Sequence, residues 1–190
     1  MSRPRRIEGF AIVSADGMIA DANGVMPDAL KLEADQRFFE RGLDRVDIVV
    51  HGRHSHERQP HSHLRRRLIV TRRVPALAAD PLDAKALHWN PAGASLEQAL
   101  ATLGAPAARV GVVGGTDVFG FFLDLYDAFH LSRVSGVLLP GGRPVFPGVP
   151  ARTPEAVLAG HGLVRGRRRV LDRSKGLTIE TWRRSPPKGD

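Results

Sequence analysis

Arg109-Val110-Gly111-Val112-Val113-Gly114-Gly115-Thr116-Asp117-Val118-Phe119 is the stretch on which the fold turns. Val110 to Val113 is a short apolar run, β-branched and too brief for a helix, so it is expected to be a buried strand. Gly114-Gly115 ends it. Thr116 then stands at the N-cap position of an expected helix with Val118, Phe122 and Leu125 on one face. A buried strand passing through glycines into a helix is the repeating unit of an α/β sheet. Two glycines let backbone approach a ligand, and a helix start offers free amides and partial positive charge to an anion. A tight turn with no ligand uses glycine just as often. The chain has neither a GxGxxG fingerprint nor a P-loop lysine.

The same alternation extends in both directions. Ile7 to Ala15 is an expected strand ending in the Asp16-Gly17 turn, and residues 20–28 form a loop rich in turn residues. Leu30, Ala34 and Phe38, four apart, mark a helix. Asp47 to Val50 and Leu68 to Val70 are short buried strands, and His88-Trp89 is a third before Pro91. Leu96, Leu100 and Leu103 lie on one face of a helix stopped by Gly104 and Pro106. His130 to Leu139 is β-rich. Leu163–Leu171 and Leu177–Trp182 then form a hairpin around a turn at 172–176. The expected fold is a three-layer αβα domain, residues 1–190, with flexible tails at 1–6 and 185–190. Its central sheet is mixed and mostly parallel, ending in the antiparallel C-terminal hairpin.

The 190 residues are 42% hydrophobic, which excludes wholesale disorder, and contain no cysteine, which excludes disulfides and thiolate chemistry. No apolar stretch approaches the roughly 20 residues of a membrane span. The N-terminus has no apolar signal region, and a cytoplasmic protein is expected. The net charge of +8 comes almost entirely from arginine, lysine being confined to positions 31, 85, 175 and 188. The densest runs, 65–67 and 167–169, are not interleaved with aromatics, so anionic small molecules fit the charge as well as nucleic acid does.

Gly52-Arg53-His54-Ser55 repeats the glycine-and-hydroxyl arrangement after a second buried strand, and Thr71-Arg72 follows a third. Ligands bind at the carboxyl ends of strands in open α/β sheets, so three such ends point to one anionic ligand lying across them. Asp35 and Phe39, four apart, share one helix face. There a carboxylate can pair with an amidine-like edge while a ring packs on a flat heterocycle. Alone, such an Asp is as readily an exposed helix residue. His51, His54, His56, His61 and His63 with Glu57 match no common metal-ligand spacing, and no metal is expected. Asp16 is either a base or an ordinary turn residue.

In chain order these pieces resemble dihydrofolate reductase and its relatives, including the reductase domain of bacterial riboflavin biosynthesis. Asp16-Gly17 with Ile19, and Asn23-Gly24-Val25-Met26-Pro27, are similar to the first strand and mobile loop that close over a nicotinamide. Asp35 with Phe39 looks like the pterin-binding carboxylate and its aromatic partner, and Ser132 falls where a hydroxyl supports that carboxylate. Gly52-Arg53-His54-Ser55 resembles the segment that holds cofactor phosphates. Thr71-Arg72 falls at the adenosine 2′-phosphate. Gly114-Gly115-Thr116-Asp117-Val118 resembles the cis Gly-Gly peptide and helix start under the pyrophosphate. Arg65 falls where folate reductases bind the glutamate tail. The resemblance further implies substrate contacts at Ile12, Met26 and Val113 and cofactor contacts at Ile12 and Ile19.

What it implies is NADPH as hydride donor and a pterin-like acceptor bound through a catalytic Asp35 whose pKa rises in a dry pocket. The protein would be a monomer or homodimer with no nucleic-acid or membrane partner. Two departures widen the acceptor. Asp28 stands where folate reductases usually carry tryptophan, while Leu138-Leu139-Pro140-Gly141-Gly142-Arg143-Pro144-Val145-Phe146 is more similar to the riboflavin branch. The histidine loop also replaces that branch's DDP-rich segment. Dihydrofolate, another dihydropterin such as dihydromethanopterin, and a ribosylaminopyrimidine all remain as acceptors. An arginine-built nucleic-acid module is the non-enzyme alternative.

Overall fold

A computed structural model describes residues 6–55 and 61–185. Its elements are β1 (Arg6–Ser14), β2 (Met18–Ala20), α1 (Glu33–Leu43), β3 (Ile48–Gly52), β4 (Arg66–Val70), β5 (Leu77–Ala79), β6 (Ala86–Trp89) and α2 (Leu96–Thr102). There follow β7 (Arg109–Val112), α3 (Thr116–Phe121), β8 (Ala128–Val134), β9 (Arg143–Pro144), α4 (Pro154–Gly160), β10 (Leu163–Arg165), β11 (Arg169–Asp172) and β12 (Leu177–Arg184). The sheet order is β10-β12-β8-β1-β7-β3-β4-β6-β5, with β11 also paired to β12 and a separate β2–β9 pair. The five central pairings, from β8 to β6, are parallel, and β12 closes antiparallel on β8.

Period-two alternation distributes β1 between the two faces of the sheet. Ile7 and Val13 enter a large core with Leu100 of α2, Phe119 of α3 and Leu158 of α4. Phe10 points the other way, into a smaller cluster with Leu43 and Val46, against which Phe38 and Phe39 of α1 pack. Gly42 permits that contact: a Cβ there would stand 2.5 Å from the Phe10 ring. One helix therefore covers the face on which the candidate residues lie, and three cover the other.

Several expectations need correction. The first helix starts at Glu33 rather than Leu30, which sits in a preceding 3-10 turn. Gly115, not Thr116, caps α3; the Thr116 hydroxyl instead donates to the Pro144 carbonyl and ties β9 to the helix start. The Leu163–Leu171 strand is broken at 166–168, where Gly166 packs so tightly on β12 that a Cβ would meet the Thr181 carbonyl at 2.5 Å. The β5 edge is antiparallel as well as the C-terminal one. Arg6 is not tail but the first residue of β1, in register with Arg109. Residues 1–5 and 186–190 of the expected tails, and His56 and Glu57 of the histidine loop, lie outside the described residues. The helix α4 escaped the sequence reading, although Thr153-Pro154-Glu155 carries a start signal: the Thr153 hydroxyl accepts the Ala156 amide, with Pro154 in the first turn.

Candidate functional site

A cleft of about 1430 Å³ runs along the carboxyl ends of the central strands, more than the ~300–1,000 Å³ of a pocket for one drug-sized ligand. One wall is α1 with the loop between β2 and the 3-10 turn; the other is the start of α3 with the segments after β3 and β4. A second depression of about 1000 Å³, lined by Asp44, Asp47, Arg65 and Lys85, lies at the amino ends of the strands. In open α/β sheets the carboxyl ends carry the site, so the first cleft is the candidate.

At one end of this cleft, β1 and β8 present Ile12 and Ser132 side by side, register partners on one face. Asp35, in the first turn of α1, closes over them and accepts a hydrogen bond from the Ser132 hydroxyl. Burial pushes the Asp35 carboxyl up to about 6, and the Ser132 bond offsets only part of that rise. Phe39, one turn on, lines the same wall and meets Phe10 edge to face at 6.0 Å. Ile19, Met26 and Val113 also line the cleft.

At the other end, Gly52, Arg53, His54 and Ser55 leave β3 beside Thr71 and Arg72, which follow β4. The Gly52 amide donates to the Gly114 carbonyl at 2.7 Å, drawing the two glycine turns together. The Gly114–Gly115 peptide, whose isomer the sequence leaves open, is cis. A Cβ on Gly115 would meet only the Ser55 hydroxyl, at 3.9 Å, so this backbone borders open space where a ligand can approach. Arg53, Arg72 and Arg73 line this end, and none makes an ion pair among the described residues. Unneutralised guanidinium groups, the Ser55 and Thr116 hydroxyls and the first amides of α3 suit a phosphorylated ligand.

Gly114 completes the expected set: its φ of 112° lies where only glycine is unstrained, and a Cβ would stand 3.0 Å from the Phe119 ring. Asp117 and Val118 also line the cleft.

One expected residue is not brought there. Arg65 is buried and donates to Asp44 Oδ1 at 2.7 Å, beside the second depression. It immediately precedes β4 and so stands at the amino end of the sheet, opposite the cleft, beside Asp44 at the end of α1. Asp16 is no base either. Although burial works to raise its pKa, hydrogen bonds from the Ser14 hydroxyl and the Leu139 amide outweigh it and hold the carboxylate below its usual range. It ties β1 to the segment after β8. Among the described residues no three His, Asp or Glu side chains converge as metal ligands. No helix among the described residues is long and apolar enough to cross a membrane.

Phe10, Phe38, His130, Arg73 and Arg143 also line the cleft and were missed from sequence. The strand alternation that places Ser132 could have indicated Phe10 and His130.

No protein-family sequence model matches the chain, and no curated protein matches its sequence. Solved structures do. A protein of Shewanella sp. PV-4 assigned to riboflavin biosynthesis superposes with a TM-score of 0.66 at 20% identity, over 95% of this chain and 99% of its own. Dihydrofolate reductase from Enterococcus faecalis, solved with NADP(H), gives 0.63 at 18% identity, over 95% and 97%. The diaminohydroxyphosphoribosylaminopyrimidine deaminase/5-amino-6-(5-phosphoribosylamino)uracil reductase of Thermotoga maritima gives 0.61 at 17% identity over 96% of this chain. This chain spans 57% of that longer protein. The sheet order, the placement of the helices and these superpositions together identify the chain as a protein of the dihydrofolate reductase-like fold.

Proposed function

We propose that this chain is an NADPH-dependent reductase that delivers hydride to a dihydropterin of the dihydrofolate or dihydromethanopterin type. The observation that carries the reading is one cleft with a half-buried carboxyl, Asp35, at one end and, at the other, Arg53, Arg72 and Arg73, which make no ion pair among the described residues. A flat heterocycle and a phosphorylated dinucleotide fill those ends in turn. The residues fit the cofactor: open backbone at Gly115 and the guanidinium groups of Arg53, Arg72 and Arg73 receive its phosphates. NADPH, when bound, supplies the hydride.

The chain's own residues do the rest. Asp35 anchors the amidine-like edge of the heterocycle and, with a pKa of about 6, carries a proton in a useful fraction of molecules near neutrality. Phe39 and Ile12 hold the ring flat, and the loop bearing Met26 shields it from water. The capture of Arg65 by Asp44 favours a second reading, in which the acceptor is the ribosylaminopyrimidine of riboflavin biosynthesis. That acceptor has no glutamate tail for Arg65 to hold.

Oxidation of NADPH followed with dihydrofolate, dihydromethanopterin and the ribosylaminopyrimidine separates the two, with Asp35→Asn as control. Turnover of a dihydropterin that Asp35→Asn abolishes is the expected result. Turnover of the aminopyrimidine alone selects the second reading. If NADPH does not bind at all, both fail, and steeply salt-dependent binding to DNA or RNA would then favour the arginine-built alternative.

A further inference from the structure

Among the titratable side chains of the cleft that the reading above leaves without a task, His130 is the one held between aromatic rings. His130 is on β8, two residues before Ser132 on the same face, and is the register partner of Phe10 just as Ser132 is of Ile12. Two strand residues cover about 7 Å, within the span of one fused bicyclic ring. The imidazole is stacked on Phe10 at 4.8 Å between centroids and 19° between planes, and Phe38 of α1 meets it edge-on at 5.4 Å. Its Nδ1 lies 3.0 Å from the Thr181 hydroxyl of β12. Its Nε2 has no hydrogen-bond partner among the described residues. An aromatic cage fixes the ring's plane and Thr181 fixes its rotation. One nitrogen is therefore left over at a cleft wall.

We infer that His130 is a specificity-determining contact of the heterocycle site: its Nε2 hydrogen-bonds a polar edge group adjacent to the edge held by Asp35. This rests on the proposed reductase function and adds a contact to its heterocycle site. A neutral imidazole carries one donor and one acceptor. The Thr181 hydroxyl can give or take at Nδ1, so Nε2 can take or give in turn. The chemistry that satisfies both Asp35 and His130 is an aminopyrimidinone, fused or not, whose neighbouring edges carry N–H and C=O groups in alternation. A ring with an apolar edge there leaves Nε2 desolvated and unpaired. Burial, and after it the charges of Arg183 of β12 and Arg6 of β1, lower the imidazole pKa to about 4 and keep it neutral.

The test compares His130→Phe, which preserves the aromatic packing, with His130→Gln, which restores a polar group. Calorimetric affinity and steady-state constants are measured for an aminopyrimidinone acceptor and for NADPH, with near-ultraviolet circular dichroism to establish that each variant is folded. His130→Phe is expected to weaken acceptor binding about tenfold, as KM rather than kcat, with NADPH affinity unchanged and partial recovery in His130→Gln. Acceptor affinity unaltered in folded His130→Phe would overturn the inference while leaving the reductase reading intact. Failure of the wild-type protein to bind any aminopyrimidinone would overturn both.

Discussion

The Ser132 hydroxyl on β8 hydrogen-bonds the Asp35 carboxylate on α1, and this bond joins the sheet to the helix at the centre of the cleft. It only partly offsets burial, so the carboxyl is left at about 6 against an ordinary 3.8. Carboxylate desolvation of that size lowers stability by about 3 kcal/mol once the group ionises. Asp35→Asn is thus expected to abolish reductase turnover yet raise the melting temperature at pH 7.5 by about 6–12 °C. Calorimetric melting beside the NADPH oxidation assay checks both halves; a lower melting temperature would mean that the ionised carboxylate is stabilised where it sits.

Asp35 and His130 impose opposite pH dependences on folding. The Asp35 pKa is raised from 3.8 to about 6 in the folded state, so its protonated form is favoured there, and its contribution to stability falls as pH rises from 4 to 6. For His130 the folded pKa is lowered from 6.5 to about 4, so its contribution grows with pH from 4 to 6.5. Between pH 4 and 6 each state of the chain holds about one proton on the pair, and the two effects nearly cancel. Urea unfolding of the wild type is expected to show little pH dependence from this pair. His130→Phe should unmask stability that rises on acidification, and Asp35→Asn stability that falls. Parallel pH profiles in all three proteins would refute the balance.

At the opposite end of the cleft, Arg53 and Arg72 are the residues expected to discriminate NADPH from NADH. Charge-assisted hydrogen bonds to a phosphate are worth roughly 1.5–3 kcal/mol. Each alanine variant should lose about ten- to a hundredfold in NADPH affinity by fluorescence titration, with little change for NADH in the variant that removes the 2′-phosphate contact. Equal losses for both dinucleotides would place the two arginines on phosphates common to them.

Arg65 offers a contrasting case, since it is buried against Asp44 away from the cleft. Asp44→Ala is expected to cost about 1–3 kcal/mol of unfolding free energy in denaturant titration. The KM for acceptors with and without a carboxylate tail should not change. A selective rise in KM for the tailed acceptor would restore Arg65 to the substrate.

Local patterns in the chain already indicated the α/β class, the three glycine- or hydroxyl-bearing strand ends, and Asp35 with Phe39 on one helix face. They could do so because strand period, helix spacing and turn chemistry are properties of neighbouring residues. Even the rise in the Asp35 pKa followed once a dry pocket was assumed. The fate of Arg65 did not follow, because whether a guanidinium faces a cleft or a carboxylate depends on where α1 ends in space. The break at Gly166 likewise reflects an approach of β12 that no local pattern encodes. His130 passed for an ordinary strand residue until pairing set it between Phe10 and Thr181. Sequence by itself determined which groups the chain offers at each strand end. Only the tertiary structure decided which of them share one cleft, because burial, ion pairing and cross-strand register arise between segments far apart in the chain.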